Sequence, residues 1–343
     1  MSEALPGIAD PVGRGRIRTV PEDFRVIEQP GFEASGSGEH SLLRVRKRGA
    51  NTDWVAGQLA RFAGVGRQAV SYAGLKDRHA VTEQWFSVHL PGRDDPDWSQ
   101  LTNDEFIVLE HTRHHRKLKR GALQGNLFTI TVRQFDGDPD RLSEQVIEIA
   151  TQGVPNYFGR QRFGRGGGNL DRAEAWFSGR ERVRDRQKRS LYLSAARSAI
   201  FNAVLAERVR RGTWNRILDG ETVMLDGSHS VFAADPADPA LITRLAEQDI
   251  HPTGPLWGEG DSGCSGEALA LERQIADRFP LFCQGLIDQR LKMERRALRL
   301  PVRQLTLDWQ DVETPVLTFR LDPGSFATSV LETLFEIDDA ATG

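Results

Sequence analysis

An α+β fold, strand-rich at both ends of the chain and helix-rich between them, is what this 343-residue sequence predicts. Three observations carry that expectation. Up to about residue 135, apolar residues fall in short runs that alternate with polar ones, and no regular helices separate the runs. From Ser190 toward Leu300 the apolar spacing becomes helical. After Pro301 the alternation returns.

Taken in order, Phe24–Glu28, Ser41–Arg46, Gln68–Ala73, Gln84–Leu90, Phe106–Glu110 and Leu127–Arg133 read as strands, being short and rich in Val, Ile, Phe and Leu. Thr52–Phe62 reads as a helix. Thr52 or Asp53 is available to cap it, Trp54, Val55, Leu59 and Phe62 share a face, and Gly64 stops it. Arg141–Gln152 is a second amphipathic helix. Ser190–Arg211 is a long one, with Ala196, Ala199, Ile200, Ala203 and Val204 as its buried stripe and Gly212 as its end. Gly220–Pro255 reads as turn-rich and acidic, with Asp-Pro steps at Asp235 and Asp238. Leu269–Leu300 reads as helical with a break at Pro280. Val302–Leu307 and Pro315–Leu321 are strands, and Thr328–Phe335 is a short last helix. The order fits one β-rich domain with an insertion, and equally three successive pieces.

Hydrophobic residues make up 39% and charged residues 27%, which excludes a disordered or collagen-like chain. No apolar run approaches the roughly 20 residues that span a bilayer. The N-terminal segment has no apolar core of the kind a secretory signal needs. Cys264 and Cys283 allow at most one bridge and form no CxxC pair. The expected compartment is the cytoplasm.

The formal charge of −3 argues against a nucleic-acid binder only if it is evenly spread. It is not. His111–Arg211 carries +11 and the remainder −14. Within that stretch, Arg116, Lys117, Lys119 and Arg120 lie in one basic run, and Arg184, Arg186, Lys188 and Arg189 in another. Between them Arg160 and Arg162 interleave with Tyr157, Phe158 and Phe163. Basic side chains bind phosphates by counterion release, and aromatic rings stack on unpaired bases.

Several familiar catalytic patterns fail. Gly260-Asp-Ser-Gly263 lacks the following Gly and the partner His of a serine hydrolase, so Ser262 is expected in a plain acidic loop. His111, His114 and His115 match no zinc spacing and sit among cations. Gly164-Arg-Gly-Gly-Gly168 lacks the Lys-Ser/Thr of a P-loop. The segment Gly74-Leu-Lys-Asp-Arg-His-Ala-Val-Thr82 is different. It is a loop at strand ends, where functional residues concentrate. Asp77 lies between Lys76 and Arg78, and neighbouring cations favour its carboxylate form. Such a carboxylate suits a nucleophile or base acting on an anionic substrate; the competing reading is a local ion pair or a turn cap.

Gly74–Gln84 resembles the signature of the TruD family of tRNA pseudouridine synthases. Pro21-Glu-Asp-Phe24, Lys117-Leu-Lys-Arg-Gly121, Gly125-Asn-Leu-Phe128, Val154–Gly159, Gln161–Gly164 and Gly324–Ser329 extend the likeness across nearly the whole chain. The resemblance implies isomerisation of a tRNA uridine, typically at position 13, to pseudouridine, without metal, organic cofactor or obligate protein partner. Asp77 falls on the family's catalytic aspartate. It would attack C6 of the base or C1′ of the ribose, or abstract a ribose proton. Phe128 falls where the family stacks an aromatic ring on the target base, and Asn126 where an amide orients the carboxylate. Arg18 is the best match for the basic partner of the aspartate, with Lys76 and Arg78 flanking it. The resemblance also implies a discontinuous catalytic domain, residues 1–151 and 301–343, around a mixed, largely antiparallel sheet. Residues 152–300 would be an inserted helix-rich α+β domain, with tRNA in the cleft between the two. A non-catalytic tRNA-binding or RNA-chaperone protein on the same fold is the alternative from another class; it need not keep Asp77, Asn126 and Phe128.

Overall fold

The computed structural model describes residues 5–119 and 121–341. The elements run β1 (Gly13–Ile17), β2 (Phe24–Pro30), β3 (His40–Arg48), α1 (Thr52–Phe62), β4 (Val70–Tyr72), β5 (Val81–His89), β6 (Phe106–His114), β7 (Leu123–Thr131) and β8 (Arg133–Gly137). They continue through α2 (Pro139–Gln152), β9 (Val154–Pro155), α3 (Gly168–Phe177), α4 (Arg186–Arg210), β10 (Thr222–Leu225), β11 (Val231–Ala233), α5 (Pro239–Ala246) and β12 (Ile250–Leu256). Then follow α6 (Gly266–Ala276), α7 (Pro280–Asp288), β13 (Glu294–Ala297), β14 (Arg299–Leu300), β15 (Arg303–Asp311), β16 (Thr314–Leu321), α8 (Ala327–Leu334) and β17 (Phe335–Asp339).

Two compact units result. The strand-rich unit takes residues 11–147, 302–327 and the chain from 334 onward; the helix-rich unit takes 148–301, 328–333 and the chain up to Asp10. In the strand-rich unit the main sheet has the order β15-β16-β7-β2-β5-β3-β6, with β4 added on β5. Only β2–β5 is parallel among its described pairings, so the sheet is mixed and largely antiparallel. The chain is thus α+β. A second sheet, β17-β1-β8, pairs the two ends of the unit, with β1 parallel to β17.

Alternation explains which side of the main sheet is covered. Phe24, Val26 and Glu28 of β2 stand beside Ile130, Phe128 and Asn126 of β7, and these beside Leu317, Phe319 and Leu321 of β16; all are buried. Helix α1 closes part of the sheet by packing Val55 and Leu59 against Leu43, Val45, Phe86 and Val88. The central strand β5 is buried along most of its length, polar residues included. Three of these are partnered, Glu83 with Arg44 and Arg46, Gln84 with Thr52, and Ser87 with His40, while the buried Thr82 hydroxyl has no partner among the described residues. In the helix-rich unit, Ala173, Ala196, Ile200 and Leu286 make one core, and β11-β10-β12-β13 forms a small sheet. Among its buried charges, Arg208 pairs with Glu221 at 2.7 Å and Arg295 with Glu272 at 2.7 Å, while Arg299 donates to His251 and to the carbonyls of Leu245 and Ile250.

Several sequence expectations need correction. The segment 220–255, read as turn-rich, holds β10, β11, α5 and most of β12 between its turns. The Asp238-Pro239 step starts a helix: the Asp238 carboxylate caps α5 by accepting from the Ala240 N–H at 2.8 Å, and Pro239 takes the first turn. The segment 269–300 ends in β13 and β14, not in helix. Neither Thr52 nor Asp53 caps α1; Asn51 occupies that position, and the Thr52 hydroxyl is turned to Gln84. Of the predicted stripe on α4, Ala199 and Ala203 are only half-buried. Strands β1 and β17 carry too few apolar residues to show in the pattern. Cys264 and Cys283 are both free. No described helix is long and apolar enough to cross a membrane.

Candidate active site

The 74–80 loop leaves β4 and enters β5, and buried side chains hold it from beneath. Gln84 Nε2 donates to the Gly74 carbonyl at 3.3 Å, and the Lys76 N–H donates to Thr52 Oγ1 at 3.1 Å. The Thr52 hydroxyl in turn donates to Gln84 Oε1 at 2.9 Å, so the two anchors fix each other. Lys47, wholly buried on β3, donates from Nζ to the carbonyls of Asp77 at 2.7 Å and Ala50 at 2.8 Å. Burial pushes the Lys47 ammonium down to about 8; the Asp77 carboxylate opposes that fall and the Lys76 ammonium adds to it.

On this support the Asp77 side chain stays 52% exposed. Its Oδ2 accepts from Arg18 Nη2 at 2.8 Å, and Oδ1 makes no hydrogen bond among the described residues. Arg18 leaves the end of β1 with a positive φ of 56°, a region costly for any residue with a Cβ. Its other terminal nitrogen, Nη1, donates to Asp339 at the end of β17, and its guanidinium lies 4.0 Å over the Phe24 ring. The second sheet therefore delivers both Arg18 and Asp339, since Ile17 and Asp339 are register partners.

Lys76 and Arg78 do not flank the carboxylate as the sequence order suggested. A backbone placed in an open loop sends neighbouring side chains different ways. Lys76 turns inward to Glu28 Oε1 at 2.5 Å, and Arg78 donates from Nε to the Gly49 carbonyl at 3.3 Å. Burial pushes the Glu28 carboxyl up, opposed by the Lys76 ammonium and by the Trp85 N–H that donates to its other oxygen at 2.9 Å. Asn126 makes no hydrogen bond to Asp77; it sits opposite Glu28 in the β2–β7 register, with its Oδ1 buried and without a partner among the described residues. Phe128 is 7% exposed, stacked on Phe319 at 5.5 Å and edge-on to Phe24 at 6.2 Å. A closed circuit of contacts results. Asp77 meets Arg18, Arg18 meets Phe24, Phe24 shares a strand face with Glu28, Glu28 meets Lys76, and Lys76 precedes Asp77 in the chain. Phe128 and Asn126 stand beside β2 within it.

Sequence reasoning missed Lys47, Glu28 and Asp339. The available signal was alternation: in the run Leu-Leu-Arg-Val-Arg-Lys-Arg, Lys47 falls on the face of Leu43 and Val45, whereas Arg46 and Arg48 fall on the other. Asp339 lies 321 residues from Arg18, beyond any local pattern.

The basic residues divide between the units. Arg116, Lys117 and Lys119 are exposed in the β6–β7 loop, and Arg120 lies outside the described residues. Leu118 anchors that loop against Leu42, Ala73 and Trp85, and the Gly121 N–H donates to the Ala73 carbonyl at 2.9 Å. This cluster thus adjoins the start of the Asp77 loop. In the helix-rich unit, Arg184, Arg186, Lys188 and Arg189 surround the exposed start of α4, where Asp185 caps by accepting from the Lys188 N–H. Arg189 is spent on Gln289 and the Trp176 ring. Arg160 is exposed, and Arg162 donates to Ser194 at 2.8 Å. Among the described residues, no cluster of His, Cys, Asp and Glu is placed to hold a metal.

The fold is that of a known class. A crystal structure from Methanosarcina mazei described as tRNA pseudouridine synthase D (TruD) superimposes with a TM-score of 0.75 over 97% of this chain and 96% of that one, at 22% identity. A tRNA pseudouridine synthase D of Methylococcus capsulatus is 53% identical over 325 residues, covering 95% of this chain and 92% of the relative. One from Aeromonas salmonicida is 47% identical over 334 residues, covering 97% and 94%. The family model for tRNA pseudouridine synthase D matches residues 8–172 and 172–334, and the chain belongs to the TruD family.

Proposed function

We propose that this chain isomerises a uridine of tRNA, at position 13, to pseudouridine, with Asp77 as the catalytic carboxylate. The observation that carries the reading is the pairing at Asp77. Arg18 holds Oδ2 at 2.8 Å while Oδ1 remains open on a half-exposed loop. Family membership supplies the substrate class. The guanidinium fixes the orientation of the carboxylate, as attack at C6 or C1′ and abstraction of a ribose proton all require. The N1–C1′ bond breaks, the uracil turns, C5 bonds to C1′, and the C5 proton leaves as N1 gains one.

In this reading Phe128 offers the uracil whatever ring surface Phe319 and Phe24 leave open, and the Asn126 Oδ1, without a partner among the described residues, accepts from the base. Lys76 serves the loop through Glu28, while Arg78 remains exposed to meet RNA. Arg116, Lys117, Lys119, Arg160, Arg162, Arg184, Arg186 and Lys188 bind phosphates, residues 1–151 with 301–343 form the catalytic domain, and 152–300 form an inserted domain. The non-catalytic alternative has no observation in its favour. The test is Asp77→Asn with unmodified tRNA. Binding should stay within about 3-fold while pseudouridine, mapped by carbodiimide labelling, disappears. Measurable turnover by the variant would remove Asp77 from the chemistry.

A further inference from the structure

We propose that Leu75 is a wedge that enters the base stack of the substrate and occupies the position the target uridine vacates. The inference rests on the isomerase reading and goes beyond it. A stacked nucleotide cannot reach Asp77, so it must be flipped out, which costs a few kcal/mol of lost stacking. Proteins that open a stack commonly insert an apolar side chain into the gap. Leu75 has the chemistry, the placement and the rigidity for this. It is 69% exposed, and scattered exposed leucines are ordinary. This one precedes Asp77 by two residues, and both face solvent while Lys76 between them turns to buried Glu28.

The loop beneath it is held on both sides. The Gly74 carbonyl is fixed by Gln84, the Lys76 N–H by Thr52, and the Asp77 carbonyl by Lys47. A leucine on a floppy loop would fold back onto apolar surface; one on an anchored loop is presented. The same backbone segment thus carries the wedge and the carboxylate. Entry of Leu75 into the stack and arrival of the uridine at Asp77 become one motion.

The experiment uses full-length enzyme and a tRNA transcript with 2-aminopurine beside nucleotide 13, whose fluorescence rises when the stack opens. Wild type should give that rise on mixing. Leu75→Ala should bind the transcript within about 3-fold but slow the rise at least ~10-fold, with kcat falling in step. Leu75→Met, which keeps an apolar side chain of similar length, should retain both within about 3-fold. Unchanged rates in Leu75→Ala would overturn the proposal. So would a loss of affinity that accounts for the whole defect, since Leu75 would then be an ordinary docking contact. Product formation by wild type with no rise would overturn it as well. Absence of pseudouridine from the wild-type reaction would instead sink the isomerase reading, and the wedge with it.

Discussion

Replacing Lys47 with methionine separates the stability of the fold from the placement of Asp77. The buried ammonium sits at about 8 against an ordinary value near 10.4, so keeping it charged at neutral pH costs about 3 kcal/mol. Methionine removes that cost but strands the carbonyls of Asp77 and Ala50, at about 1–3 kcal/mol each. These terms nearly cancel, and the net runs from a slight gain to a loss of about 3 kcal/mol. Activity has no such offset. Without Lys47 the main chain at Asp77 loses its own anchor, and a displacement of about 1 Å costs on the order of 10²-fold in rate.

We expect Lys47→Met to fold, to keep KM for tRNA within about 3-fold, and to lose about 10- to 100-fold in kcat. Tritium released from C5 of labelled uridine reports the rate directly. The same variant carries a pH signature. The folded-state value of Lys47 lies below its unfolded one, so between about 8 and 10.4 the unfolded chain holds the extra proton and wild-type stability rises with pH. Urea midpoints at pH 7 and 10 should therefore climb more in wild type than in the variant. Full kcat in a folded Lys47→Met protein would refute the positioning argument.

Two further outcomes follow from the same geometry. Arg18→Lys keeps the charge but cannot bridge Asp77 and Asp339 from two nitrogens of one planar group, so kcat should fall about 10-fold or more with the melting temperature little changed; wild-type turnover would make the bridge dispensable. Reversing Arg184, Arg186 and Lys188 to Glu should weaken tRNA binding and lower the slope of log affinity against log salt by about 2–3, and an unchanged slope would place the RNA elsewhere.

The fold class, the extent of α1, the Asp77 loop and the basic middle of the chain are legible in the residues alone. Each is written locally, in alternation, in a helical stripe, in a glycine stop or in a run of like charges. The −3 of the whole chain therefore said less than its division into +11 and −14. Short strands such as β10 (Thr-Val-Met-Leu) and β11 (Val-Phe-Ala) were hidden because three or four residues are too few to show a period and Gly, Asp and Ser crowd the segment between them. Which charge meets which depends on the folded sheets. Lys76 and Arg78 adjoin Asp77 in sequence and turn elsewhere, while Arg18 reaches it from 59 residues away and is itself held by Asp339. Lys47 stands in a basic strand, yet it is the one driven into the core beneath the loop. Strand pairing and burial select these partners, and both depend on segments that meet only when the sheets close.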